Sequence, residues 1–450
     1  MSDPARRVQP AETQPVAQGF IEFLGGRMGR HSVVGTARWF TPLRVLYMVG
    51  SIFLVFAYLA KSRCLFGKYE NGVWSLDWSG SRQYVAACYN DIVPLYGAEG
   101  LAAGHFPYLY SWVENGQTRY MEYPVLSGLY QWVIAFITRH TYGILPFPFP
   151  EVTWYFALTA LSLSVFWFII IRWVYILSGN KAWDVILMVA SPLVVMHAFS
   201  NWDIFSIFFA VGALLALKRY QYVRAGIFIG LGVAAKLWPL FLLGALLVEA
   251  LRNREWRQFI ITTLSTVVTW VAVNAPIYLL SPAGWREFLR LNSERGWEWT
   301  TIYAVIYRIF GVNLSGSTLN MLSFALFALA CVAILILGLK RPDLNTVQIF
   351  FLITAAFLFF NKVWSPQYSI WLLPLAVLAV PQWRLIWVWT FTEAILWPVL
   401  TWHMMGTDHK GVTAGFLNVF ILIRDVMLII VVTTLIRRKD SHADHVPGNS

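Results

Sequence analysis

An all-α polytopic membrane protein is the fold class this sequence predicts, and three observations predict it. Of 450 residues, 58% are hydrophobic and 13% charged, about half the charged fraction usual in a soluble domain. Apolar runs of membrane-spanning length recur along the whole chain. Positive residues gather in alternate short connections, as orientation signals do. A β-barrel would show short alternating segments, and none is visible.

Residues 1–43 read as a cytoplasmic N-terminal tail. They are polar and arginine-bearing with no apolar core, so no cleaved signal peptide is expected. Arg27, Arg30, Arg38 and Arg44 precede the first span at about 45–60 and hold that end inside. A first outer loop, 61–152, follows. Within it, the apolar stretch after Pro124 is short and ends in Arg139 and His140. It is expected to lie on the outer leaflet as an interfacial helix, because a full span there would reverse the charge pattern downstream.

Eleven further spans are expected near 153–176, 182–198, 202–217, 224–235, 238–251, 257–280, 318–339, 346–361, 368–381, 384–402 and 414–436. That makes about twelve transmembrane helices. Arg172 and Lys181, Lys218 to Arg224, Arg252 to Arg257, Lys340 and Arg341, and Arg437 to Lys439 mark the inner connections. Both termini are therefore placed in the cytoplasm. The spans and loops together form one domain, 44–437, followed by a C-terminal tail, 438–450.

Two segments stand out. The stretch 225–252 is too long for one upright span and carries Lys236 and Pro239 in its middle, so a hairpin of two short helices is expected. The second outer loop, 281–317, is amphipathic and sets tryptophans beside Arg290, Glu294, Arg295 and Glu298.

The formal net charge of +11 belongs to the short loops. It suits anionic lipid headgroups, and nucleic acid is set aside. Cys64 and Cys88 share the first outer loop. Facing an oxidising compartment, they are expected to form a disulfide. No cysteine–histidine cluster has zinc spacing. No metal or cofactor is expected.

The polar residues converge on the outer side. The first loop supplies Asp91, Glu122 and Tyr123. Asn201 and Asp203 stand in SNWD, and Lys236 at the hairpin tip. Lys362, Trp364, Gln367 and Tyr368 stand in NKVWSPQY. Ionisable residues at membrane depth are costly and mark functional sites by default. Sugar transfer from a lipid phosphate needs a base for the attacking hydroxyl. It needs cations beside the departing phosphate. It also needs aromatic faces for sugar rings. Asp91 suits the base, with Asp203 second, and Lys236, Lys362 or Arg295 suits the phosphate. Blander roles stay open at each position. Asn90-Asp91 before an apolar stretch has the form of a helix cap, and so has Asp203. Lys236 has the length to snorkel to the surface. Prolines at span ends are common for structural reasons.

The ordered set CYNDIVPLYG, FPYLY, MEYPV, SNWD, GLGVAAKLWPL and NKVWSPQY resembles glycosyltransferase family 87, over roughly Cys64 to Trp371. The resemblance implies the GT-C glycosyltransferase fold, with interfacial helices in the first outer loop. It also implies a polyprenyl-phosphate sugar donor, most often polyprenyl-phospho-mannose, and an outward-facing active site in the cell membrane. An aspartate of the first loop is then the general base, which falls on Asp91. The expected reaction is inverting α-mannosyl transfer to an envelope glycolipid or glycan, with membrane lipids as surroundings. The Cys-x-x-Asp arrangement departs from the phosphatidylinositol-mannoside branch of the family, so the acceptor does not carry over. An arabinofuranosyltransferase of the same type is the nearest alternative. A secondary transporter would share the span count but should show internal repeats, and none is visible. A non-catalytic lipid-binding protein of this fold also stays open.

Overall fold

The computed structural model describes residues 40–144, 146 and 148–438. The expected tails, 1–43 and 438–450, lie outside the described residues except at 40–43 and 438. The described chain is mostly helical. Among the described residues six apolar helical stretches have the length to cross a membrane: Pro42–Leu65, Glu151–Val189, Trp256–Leu280, Gly316–Lys340, Trp383–Met404 and Ala414–Arg437. Tyr222–Ala235, Thr346–Phe360 and Pro366–Ala379 are apolar but shorter.

Helix α1 (Pro42–Ser62) starts where the Thr41 hydroxyl accepts from Arg44 N. It hands over to a loop with more structure than its polarity suggests. Strands β1 (Gly67–Glu70) and β2 (Val73–Leu76) pair antiparallel, as do β3 (Trp112–Glu114) and β4 (Gln117–Arg119). Both turns are Asn-Gly, with positive φ at Asn71, Gly72, Asn115 and Gly116. Two-residue hairpin turns need that conformation, and Asn-Gly reaches it at least cost. Helix α2 (Ile92–Ala98) lies between the hairpins, and α3 (Val125–Thr141) follows them.

Helix α4 (Glu151–Ser178) is continuous, but the span expected over 182–198 is not. The chain turns at Gly179, where φ is 58°, and runs through short 3-10 and α pieces to Val189. It then restarts at Pro192–His197. Proline lacks the N–H that would continue the helix and pushes Ser191 into extended backbone. Ser191 Oγ then caps Leu193 N at 3.2 Å.

Helix α5 (Asp203–Lys218) is buried on nearly every side, as suits a helix that is apolar all round. It is the centre of the fold. Helix α6 (Tyr222–Ala235) packs on α8 (Trp256–Leu280) with backbones in close approach. A Cβ at Gly226 would lie 2.4 Å from Thr262 O, and one at Gly230 2.7 Å from Thr266 O. The rising numbers on both sides make α6 and α8 parallel. Helix α7 (Phe241–Asn253) must therefore run back between them, and the chain reverses at Lys236, whose backbone is extended. Helices α9 (Pro282–Glu294) and α10 (Ile302–Phe310) form the second loop. The chain finishes with α11 (Gly316–Lys340), α12 (Thr346–Phe360), α13 (Leu372–Ala379), α14 (Trp383–Met404) and α15 (Ala414–Arg437).

Candidate active site

A cavity of about 340 Å³ opens where the first loop, α9, the hairpin tip and α14 meet. Asp91, Glu122, Tyr123, Asn201, Lys236, Arg295, Gln367 and Tyr368 all line it. They come from six separate stretches of chain.

Asp91 is held from three directions. Its N–H donates to Ser200 O at 2.8 Å. Asn201 Nδ2 donates to its Oδ2 at 2.9 Å, and Gln367 Nε2 donates to the same oxygen at 3.3 Å. Asp91 occupies the position before α2 but makes no side-chain cap. Asn90 does that work, its Oδ1 accepting from Val93 N at 3.1 Å. The carboxylate of Asp91 is thus free to face the cavity. Burial and the neighbouring Glu122 charge push its pKa up to about 6, while the Asn201 bond pulls the other way. Burial also raises the Glu122 carboxyl, offset by Arg295 and Arg119.

The segments behind Asp91 are fixed by their own contacts. Cys64 and Cys88 are bonded, with Cα atoms 5.6 Å apart, and tie the end of α1 to the strip carrying Asp91. Lys61 Nζ, fully buried, donates to Tyr89 O at 3.2 Å and lies 4.8 Å above the Trp397 ring. Tyr108 has φ 69° and donates to the carbonyls of Tyr123 (3.0 Å) and Pro124 (2.9 Å), holding the strip that bears Glu122. Its ring is wedged over Gly128 and its carbonyl against Gly284, where a Cβ would come within 2.2 Å and 2.0 Å respectively. Across the cavity, Glu287 of α9 accepts from Arg119 Nε (2.7 Å) and Arg290 Nη2 (2.7 Å), clasping the two loops together.

Lys236 brings its ammonium to the cavity with help from below. Asp203 Oδ1 takes a 2.5 Å ion pair from Lys236 Nζ and a 2.8 Å bond from Trp371 Nε1. The Tyr368 ring lies 4.5 Å from the same ammonium. Asp203 is 1% exposed, caps nothing and does not line the cavity. Its contacts are those of a counterion.

Three more expected residues turn out differently. Lys362 Nζ donates to Arg295 O, and burial with the Arg295 charge pushes the ammonium below its usual range. It is spent on backbone and does not line the cavity. Trp364 is buried under the Arg424 guanidinium, 3.5 Å away, and also lies outside the lining. Arg290 is committed to Glu287 and Glu294. Conversely, Tyr89, Glu298, Trp397 and Met404 line the cavity, and of these only Glu298 stood out in the sequence. A tryptophan near the end of a span reads like an interfacial anchor, so Trp397 carried no separate signal.

Taken together, the lining offers three carboxylates, with Asp91 held by side-chain amides and Glu298 by Thr300, two cations, and aromatic faces from Tyr123, Tyr368 and Trp397. That arrangement can accept a proton, neutralise an anion and stack a ring.

Known proteins bear on this directly. The model of glycosyltransferase family 87 matches residues 123–361. GPI mannosyltransferase 1 of Kluyveromyces lactis is 26% identical over 213 residues, covering 42% of this chain and 52% of the relative. The chain thus spans about half the length of that curated relative. With the family model covering more than half of its residues and a membrane-helical scaffold around the cavity, the chain belongs to glycosyltransferase family 87.

Proposed function

We propose that this membrane protein transfers a sugar, in the first place mannose, from a polyprenyl-phosphate donor to a hydroxyl of an envelope glycolipid or glycan. Asp91 is the general base. It takes the proton from the acceptor hydroxyl as that oxygen attacks the anomeric carbon from the face opposite the phosphate. The bond to the phosphate breaks through a transition state with oxocarbenium character, and the anomeric configuration inverts. Lys236 and Arg295 offset the charge gathering on the departing phosphate. Tyr123, Asn201, Gln367 and Tyr368 orient sugar and base, and Glu122 binds a sugar hydroxyl. Asp203 serves by holding Lys236.

The observation that carries this reading is the shared cavity: Asp91 lines it together with Lys236 and Arg295. The family supports sugar transfer, and the mannosyltransferase name of the yeast relative supports mannose. The reading includes a GT-C fold of about twelve spans in which the shorter helices also cross. Both termini lie inside and the cavity faces out, in keeping with the arginine-bearing connections.

The test is transfer of radiolabelled sugar from polyprenyl-phospho-mannose to envelope lipid extracts, with purified wild type and Asp91→Ala. Label on a glycolipid with wild type alone supports enzyme, donor and base together. Equal transfer by both proteins removes Asp91 as base. Transfer from decaprenyl-phospho-arabinofuranose instead would replace mannose.

A further inference from the structure

Helix α15 carries Arg424 and Asp425 side by side in the middle of an apolar stretch, roughly ten residues, or about 15 Å, from its start. Both are buried, and Arg424 has no exposed surface. A buried ion pair in such a helix gives little net stability, and apolar residues of the same volume would serve packing as well. What Arg424 touches gives it another purpose.

Its Nη2 donates to Thr300 O at 2.5 Å, and its guanidinium carbon lies 3.5 Å from the centre of the Trp364 ring. Asp425 neutralises it at 2.9 Å. Thr300 Oγ1 donates to Trp364 O at 2.6 Å, so the two segments under the arginine are also bonded to each other. From Thr300, the N–H reaches Glu298 Oε2 at 3.4 Å, and Glu298 lines the cavity. From Trp364, the indole donates to Ser369 Oγ at 3.2 Å, and Ser369 Oγ donates to Glu393 at 2.7 Å. Between those two positions lies Gln367, which holds the carboxylate of Asp91. Arg424 therefore sits at the root of both segments that bring Glu298 and Gln367 to the cavity.

We propose that Arg424 is a positioning residue for sugar transfer, its planar fork setting the register of the Glu298–Thr301 rim against the Trp364–Ser369 turn that holds the base. The proposal rests on the functional reading above for its catalytic part only. Trp364, Glu393 and Arg424 all lie beyond residue 361, in a part of the chain that the family model does not cover. A lysine keeps the charge but supplies neither the fork nor the flat face.

The test is hydrogen–deuterium exchange on the purified full-length chain in nanodiscs, wild type against Arg424→Lys and Arg424→Met, with transfer assayed on the same preparations. The expected result is faster amide exchange over 298–301 and 364–369 in both variants, with 282–292 unchanged. In Arg424→Lys, kcat falls about 10- to 100-fold while donor KM stays within about twofold. Unchanged exchange at those two segments overturns the proposal. So does faster exchange spread along 414–437, which is the mark of a merely structural arginine. Absence of transfer by wild type would count against the functional reading alone, because the exchange comparison still decides whether Arg424 clamps the rim.

Discussion

Asp91 and Asp203 share one polar interior and both feel Lys236, yet the fold gives them opposite work. Asp91 receives two amide N–H bonds on one oxygen and presents the rest of its carboxylate to a cavity. Asp203 is sealed beneath, with a full ion pair and an indole N–H on one oxygen. Asp91 thus keeps an open side toward a bound hydroxyl, whereas Asp203 is closed in by an ammonium at 2.5 Å. The lesson is that partner and access, and not residue type, decide which aspartate suits the role of base.

The largest break in the comparison is Asp91→Asn. Transfer should fall about 10²- to 10⁴-fold with donor binding nearly intact. Single-turnover assays beside donor-binding isotherms check this, and an active Asp91→Asn would end the assignment.

Asp203→Ala should act on stability, because it breaks an ion pair whose carboxylate is buried and leaves the half-buried Lys236 ammonium without its counterion. A loss of about 3–5 kcal/mol is expected, read from unfolding in detergent. Pairing Asp203→Leu with Lys236→Met should restore most of that stability and none of the transfer. If Asp203→Ala unfolds like wild type, the counterion role is wrong.

Cys64→Ser with Cys88→Ser releases a 24-residue closure behind Asp91. About 3 kcal/mol of stability should go with it. Asp91 also loses one of the two ties to α1, leaving the Lys61–Tyr89 bond, so transfer should weaken while the Lys236–Asp203 pair stays formed.

The smallest effect sharpens the comparison through pH. With Asp91 at about 6, kcat/KM should rise as pH increases through that value and level off above it, because the base works ionised. Asn201→Ala removes a bond that favours the carboxylate. The acid limb should therefore move to higher pH, by up to about one unit. A limb that stays put would mean that another group controls it.

Much of the scaffold was legible because membrane burial writes itself into composition. The bounds of α4, α8, α11, α14 and α15 fall within a few residues of those expected. The reversal at Lys236 was also visible, since a lysine and a proline interrupt a stretch too long for one helix. The broken region around Pro192 was not, because its pieces are as apolar as a span and only the backbone shows the restart. The hairpins carry a signal in Asn71-Gly72 and Asn115-Gly116, but their strands are too short to show an alternating pattern. At the site, the residues that carry charge in a loop stood out. Those acting through contact, such as Trp397 and Lys61, did not.

By itself the sequence determined that this is a helical membrane protein whose polar residues cluster in a few loops, and it marked the family. Those properties follow from composition and from short ordered motifs, which need no knowledge of distances. Only the tertiary structure decided that Asp203 belongs to Lys236, that Lys362 is spent on a backbone carbonyl, and that Arg424 lies over Trp364. Each is a contact between residues 33 to 67 positions apart or a choice between equally plausible partners. Such choices are made by packing geometry, which brings one partner into contact and leaves its rivals out of reach.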